Sequence, residues 1–490
     1  MISDERASHE IKAHNSAYSC GGSVSFRLQY RETGFFRHVI GIRVILSGGN
    51  AAADGSPHVN RHEPVPTDEI TPGTGTSPGT TAPAETTETP TDPPQTTAPP
   101  ATTGKVTKPP KQTTPPPSTA PQEPVPCSSD NEKLAEIMKA AAEKNGAVGL
   151  QAAVITGGRV TFTGQYGWAE LDRRPMESDS LIRIASLSKT VVGMVAFRLI
   201  DDGVLELDTD ISEYLGFTVR NPAYPDVPIT LRLLLSHRSG IKSSVSGYGY
   251  VYSLDALDRL LRESSSYSKG APGTYYAYSN FGFGMIGAIC ENVTGKSLSA
   301  LSREFFFIPM GTDAGFVPSE LTADRLAVIY NENHRVTQSV SKQLAVKDAK
   351  APCGAMNLYA GGLTISAEGF ARVLTILMND GCYDGIRYLS SESVKNILTA
   401  QCAKQGYAKQ CLPVAYYPGM YGQDGLYFHT GNRFGVFSVY TFDPVTGGGT
   451  VVVSTGAKPV VKSHVAAVCG EVSEYVHNHP EKFAGQIPDS

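Results

Sequence analysis

The chain has 490 residues, with 42 Lys and Arg against 47 Asp and Glu and a formal net charge of −5. A balance this near neutrality, with no basic run, argues against a nucleic-acid partner, and no stretch approaches the ~20 apolar residues of a membrane span. None of the eight cysteines forms a Cys-x-x-Cys pair, so neither a zinc site nor a redox dithiol is expected, and no metal or organic cofactor is implied.

Composition divides the chain into residues 1–63, 64–126 and 127–490. In the first segment, Val39 to Leu46 is an apolar run followed by Asn50-Ala51-Ala52-Ala53. Arg43 interrupts that run and the charged start is long for a signal peptide. The stretch from Phe26 to Leu46 resembles the terminal strand of a formylglycine-generating-enzyme-like or lectin-like domain. A degenerate signal and the remnant of an upstream domain are the two readings. Residues 64–126 are dominated by Thr and Pro, with no aromatic residue. Such a segment cannot bury enough apolar surface to offset chain entropy, and reads as a disordered, semi-stiff linker. Its composition is typical of bacterial proteins displayed outside the cell, and an extracellular or cell-surface location is expected.

Residues 127–490 read as one folded unit. Ser128 or Asp130 is expected to cap a helix over Leu134–Lys144. Gly149–Thr156 and Arg159–Tyr166 alternate around Gly157-Gly158 as a hairpin. A mostly helical middle runs from Ser186 to about Cys382, with Cys290 a buried helical residue. Strands return at Leu426–His429, Phe434–Phe442 and Thr450–Thr455, and a last helix spans Lys458–Val476. Strands from both ends with helices between them predict an α+β fold, an antiparallel sheet flanked by helices with a helical subdomain beside it. Cys402 and Cys411 bracket a short polar segment that would close as a small disulfide loop in an oxidising compartment.

The spacing Ser-x-x-Lys occurs at Ser186 to Lys189 and, among other places, at Ser266 to Lys269 and Ser339 to Lys342. Only Ser186 opens a long apolar run, Thr190 to Ile200; the other two lie in polar, serine-rich segments that read as loops. Residues i and i+3 share a helix face, so Lys189 would sit beside the Ser186 hydroxyl, where a neutral amine can take its proton. Tyr278-Ser279-Asn280 follows Ala271-Pro272-Gly273 downstream, and His429-Thr430-Gly431 sits in a strand-like segment near the end.

That ordered set, with Tyr166-Gly167-Trp168-Ala169, Ile229 to Gly240 and Ala360-Gly361-Gly362-Leu363, resembles the serine β-lactamase and penicillin-binding-protein superfamily. Within it the chain is most similar to the branch of class C β-lactamases, D-Ala-D-Ala carboxypeptidases and related esterases, across roughly Cys127 to His479. The resemblance implies a β-lactamase/transpeptidase-like fold and an acyl-enzyme hydrolase with Ser186 as nucleophile. Lys189 and Tyr278 would handle protons, Asn280 would hold the lysine or a substrate amide, and His429, Thr430 and Gly431 would line the substrate. The backbone N–H groups of Ser186 and Asn432 would hold the oxyanion. His429 stands where many relatives have lysine, so a carboxylate is expected to be gripped in a pH-dependent way. Arg433 reads as a solvated strand-end residue. His237 reads as a cap on the carbonyls of a helix C-terminus, outside the chemistry. Expected partners are a small molecule or peptide, including a cell-wall D-Ala-D-Ala peptide, a β-lactam or a small ester. The alternative is a non-hydrolytic penicillin-binding sensor or surface binding module with the same fold.

Overall fold

The structure, a computed structural model, describes residues 125–484 except 244, 246, 348–350, 405 and 407, together with the backbone of three N-terminal strands. Contacts divide the chain into two units, Met1–Thr113 and Thr114–Ser490. In the first, Ser8–Ile11, Gly22–Thr33 and Phe36–Gly48 form an antiparallel sheet in that order. The strand expected from Phe26 to Leu46 is therefore two strands, paired with Thr33 opposite Phe36. The residues read as a linker lie outside the described residues up to position 124, as do 49–63.

The second unit is built on one antiparallel sheet. Its strands are β1 (Cys127–Ser129), β2 (Gly149–Thr156), β3 (Arg159–Glu170), β4 (Cys402–Ala403), β5 (Lys409–Gln410), β6 (Ala415–Pro418), β7 (Gly425–Arg433), β8 (Val436–Asp443) and β9 (Gly448–Thr455). They lie in the order β4-β5-β6-β7-β8-β9-β2-β3-β1. The two chain ends meet where Val453 on β9 faces Gln151 on β2.

Both faces of the sheet are covered, which explains strands that are buried nearly end to end. The period-2 alternation sorts side chains between two cores. Ala153, Ile155, Tyr440, Val451 and Val453 face the helical lobe, while Ala152, Val154, Val439 and Val452 pack with the terminal helices α1 (Glu132–Asn145) and α5 (Ala467–Asn478). The helical lobe contains α2 (Ser188–Asp201), α3 (Asn280–Thr294) and α4 (Ala367–Met378).

Three local expectations are corrected. Asn131, not Ser128 or Asp130, caps α1: its side chain accepts from Leu134 N at 3.0 Å, and Gly146 closes the helix at φ 66°. Ser128 is taken up in β1, and the Asp130 carboxylate accepts from Thr163 N at 2.8 Å. The last helix begins at Ala467, because Val461–Lys462 and Val465–Ala466 pair as a hairpin, β10 and β11. Its two turn residues, Ser463 (φ 51°) and His464 (φ 67°), have the left-handed conformation that such a two-residue turn requires and a helix forbids. Ser339, read as part of a loop, caps a short helix, Val340–Leu344. Cys402 and Cys411 are free thiols, and Cys290 is fully buried in α3.

Asn131→Ala should lower stability by about 1 kcal/mol, the usual cost of losing a side-chain N-cap. A shift of the urea midpoint with an unchanged slope is the expected reading. An unchanged midpoint would mean that α1 is held by packing alone.

Candidate active site

Ser186 lies in a single tight turn, Ala185–Leu187, that runs straight into α2. Ala185 is held at φ 51°, a left-handed conformation rare for a residue with a side chain, so the surrounding structure must enforce it. Ile184 N donates to Leu363 O at 3.0 Å, Ser188 Oγ donates to Ala185 O at 2.6 Å, and Leu363 N donates to Ser188 Oγ at 3.0 Å. From the sheet, Ser438 Oγ on β8 donates to Ile184 O at 2.8 Å. The seryl turn is thereby clamped between the sheet and the segment containing Ala360-Gly361-Gly362-Leu363.

Lys189 is fully buried, and its Nζ lies 3.2 Å from Ser186 Oγ and 2.9 Å from Asn280 Oδ1, with a third bond to Ala360 O. No acidic group faces it among the described residues. Burial alone drives its pKa well below the ordinary lysine value, since a desolvated ammonium without a counter-ion is costly. Lys242, Lys269 and Lys342, which also stand three residues after a serine, are exposed. Asn280 is itself pinned, because its Nδ2 and backbone N donate to Ser243 Oγ at 3.1 and 3.0 Å. Nothing in the sequence marked Ser243, which only folding brings to this point.

Tyr278 OH donates to Ser186 Oγ at 2.9 Å. Burial raises its pKa to about 12, against a smaller opposing effect of that hydrogen bond, so the phenol keeps its proton near neutrality. Its loop is set by His237, whose ring lies 4.4 Å from the Tyr278 ring and whose Nδ1 accepts from Ser279 N at 3.1 Å. This corrects the expected cap: His237 accepts a backbone N–H instead of serving helix carbonyls. The carbonyls of Arg232, Leu233 and Leu234 are already taken by the backbone N–H groups of 236–238 and by Ser236 Oγ. Ser279 Oγ in turn caps α3, accepting from Gly282 N at 2.9 Å.

Strand β7 carries the last group. Its pairing with β6 ends at Phe428, leaving Thr430–Arg433 as an open edge. Gly431 allows the strand to approach the seryl turn: a Cβ there would lie 2.8 Å from Ile184 O and 3.1 Å from Ala185 Cβ. Phe434 (φ 59°) and Gly435 (φ 97°) form the tight turn into β8. Asn432 and Arg433 are exposed, and Arg433 stacks on the Phe434 ring at 4.7 Å. Thr430 points to the opposite face from His429 and lines a separate cavity.

His429 is buried, and its Nδ1 donates to Thr430 O at 2.8 Å. Burial, then the nearby Lys404 and Lys189 charges, hold it well below the ordinary histidine range. The expected switch is therefore corrected: a histidine whose folded pKa is this depressed is already neutral where a free one would titrate. For a carboxylate-bearing and a neutral ester of the same acid, the ratio of kcat/KM should stay flat between about pH 5.5 and 7. A ratio that falls through about 6.5 would mean that His429 titrates as a solvated imidazole.

Residues 134–468 match the model of the family described as Beta-lactamase. Esterase EstB of Burkholderia gladioli is 31% identical over 201 residues, covering 38% of this chain and 50% of that protein. The D-alanyl-D-alanine-carboxypeptidase/endopeptidase AmpH of Escherichia coli is 31% identical over 194 residues, covering 38% and 49%. The chain thus spans about half the length of these curated relatives. A class C beta-lactamase from Rhodobacter sphaeroides shares the fold with a TM-score of 0.55 and 21% identity, over 70% of this chain and 99% of that one. With a clamped seryl turn, a buried lysine and an open sheet edge inside the matched residues, the chain belongs to the Beta-lactamase family.

Proposed function

We propose that the protein is a serine hydrolase that works through an acyl-enzyme. The observation that carries this reading is the Lys189 amine, buried with no acid beside it among the described residues and within hydrogen-bond distance of Ser186 Oγ. In its neutral form the amine takes the seryl proton as Oγ bonds to the substrate carbonyl carbon. Tyr278, which donates to the same oxygen, passes a proton towards the leaving group. The developing oxyanion is held by the backbone N–H groups of Ser186 and Asn432, at the helix start and on the open edge of β7. Water then attacks the acyl carbon by the reverse proton path and releases the acid. Asn280 orients the lysine, and Gly431 and a neutral His429 line the substrate, with Thr430 turned to the other face of β7.

The substrate class is a small ester, a D-Ala-D-Ala-type peptide or a β-lactam, in keeping with the activities named for the esterase and carboxypeptidase relatives. Action on cell-wall peptide fits an extracellular or cell-surface location of a bacterial protein, which the Thr/Pro linker composition supports. Among the described residues no helix is long and apolar enough to cross a membrane. A non-hydrolytic sensor is less favoured, because both proton-handling groups sit on the nucleophile.

The test is the full chain incubated with 4-nitrophenyl butyrate, a chromogenic cephalosporin and a D-Ala-D-Ala peptide, followed by product release and intact mass. Multiple turnover of one of them is expected. A stoichiometric adduct that never clears would convert the enzyme into the sensor, and neither turnover nor adduct would overturn both readings.

A further inference from the structure

Besides the nucleophile, Lys189 Nζ has two acceptors, Asn280 Oδ1 and Ala360 O. A neutral amine carries two hydrogens and one lone pair. With the hydrogens spent on those two oxygens, the lone pair is left facing Ser186 Oγ at 3.2 Å, the atom whose proton it takes. The aim of the base thus depends on the place of the Ala360 carbonyl as much as on Asn280.

Asn280 opens α3, and about three turns further along the same helix lies Glu291, fully buried. Its Oε1 accepts from the Tyr359 hydroxyl and from Leu298 N at 3.1 Å, and its Oε2 accepts from Cys353 N at 2.8 Å. Burying a carboxyl group is costly unless donors meet it, and here two of them come from the ends of one segment. Cys353 and Tyr359 bracket that segment, which includes the short helix Met356–Tyr359. Ala360 is the next residue. The Tyr359 ring is buried against the bare backbone of Gly287 in α3, where a Cβ would lie 2.1 Å from Tyr359 Cδ2, and it meets Phe316 edge-on at 5.5 Å. The Tyr248 hydroxyl donates to Met356 O at 3.0 Å and ties down the middle of the segment. Helix α3 therefore supplies Asn280 for one hydrogen of the amine and, through Glu291 and Tyr359, sets the carbonyl for the other. One rigid element fixes both acceptors relative to each other.

We propose that Glu291 and Tyr359 are positioning residues, which hold the Ala360 carbonyl where it aims the Lys189 lone pair at Ser186. Both act through the Ala360 backbone. The inference rests on the acyl-enzyme reading and adds to it the means by which the base is aligned.

The experiment uses the full chain with an isotope label at the lysine Cε, read by NMR, in the parent, Tyr359→Phe and Glu291→Gln. The Lys189 signal is assigned by its loss in Lys189→Met. Tyr359→Phe keeps the ring and removes its bond to Glu291, while Glu291→Gln sets an N–H against one of the donors. An ammonium gains more from the Ala360 oxygen than a neutral amine does, so a displaced carbonyl should move the Lys189 titration to lower pH in both variants, by about one pH unit. Among the described residues Tyr278, His237 and His429 are the titratable groups that face Lys189, and both variants leave them in place. Hydrolysis of 4-nitrophenyl butyrate gives a second readout. On the plateau above the titration, where all of the amine is neutral, kcat should fall about tenfold with KM held within about twofold. An unshifted Lys189 titration in Tyr359→Phe overturns the proposal, because a role confined to stability would move the unfolding midpoint alone. Should Glu291→Gln fail to fold, Tyr359→Phe decides by itself. If the parent turns over no substrate and the titration still shifts, the positioning role stands and the acyl-enzyme reading falls alone.

Discussion

Ser186→Ala should reduce turnover by on the order of 10⁴-fold or more, the loss met when a catalytic nucleophile is removed, and should abolish labelling by a fluorescent penicillin or a fluorophosphonate. The reason lies in the surroundings of this one hydroxyl. Ser186 Oγ has Lys189 Nζ at 3.2 Å and Tyr278 OH at 2.9 Å, in a turn whose backbone is clamped from the sheet and from Leu363. Ser266 and Ser339, which have the same spacing to a lysine, lack such an arrangement. Ser266 Oγ is spent on Leu260 O, Ser339 caps a surface helix, and their lysines are exposed. The alanine variant should fold as the parent does, because Ser186 Oγ accepts from its neighbours but carries none of the clamp. Undiminished labelling of that variant would mean that another residue is the nucleophile.

Lys189→Met should cost about 10²–10⁴-fold in kcat/KM, the range of a lost general base. Lys189→Arg should be as inactive, because a guanidinium keeps its proton at any working pH. An active arginine variant would reduce Lys189 to a fixed charge that orients Ser186. In the parent, activity should fall as pH drops through the lowered Lys189 pKa, since only the neutral amine can accept the seryl proton. The stability arm has a definite sign as well. Between the depressed folded pKa and the 10.5 of the unfolded side chain, the unfolded state binds more protons, so stability should rise with pH across that window. Lys189→Met should flatten that slope, and thermal unfolding of both proteins against pH measures it. A parent without the slope would mean that water or an unrecognised anion solvates the ammonium.

Much of this was legible along the chain. The i, i+3 spacing put a lysine beside a serine because helix geometry is local, and the apolar run after Lys189 announced that the pair would be enclosed. The alternation around Gly157-Gly158 marked strands of the central sheet for the same kind of reason: period 2 is a property of each strand alone. Element ends were less readable. Ser128 and Asp130 stand in a polar run that ends at Asn131, and any of them can cap a helix; the choice fell to Asn131 because Ser128 entered β1 and Thr163 on a neighbouring strand claimed the Asp130 carboxylate. The start of the last helix was hidden similarly, since Val460 to Val465 suits a strand or a helix until a turn at Ser463-His464 commits it.

By itself, then, the sequence determined which groups could react and in what order along the chain they occur: Ser186 with Lys189, Tyr278 with Asn280, and His429-Thr430-Gly431 at the end. Tertiary structure alone decided their protonation. Lys189 and His429 are both driven towards the neutral form by desolvation, and that comes from elements far away in the chain: α3, the Ala360 segment, β8 and the loop bearing Lys404. The same long-range packing brought Ser243 under Asn280, turned His237 into an acceptor behind Tyr278, and set Lys404 beside Thr430. A charge state depends on everything within several ångströms of the group, and in a chain folded through one sheet from both of its ends, those neighbours lie tens to hundreds of positions apart.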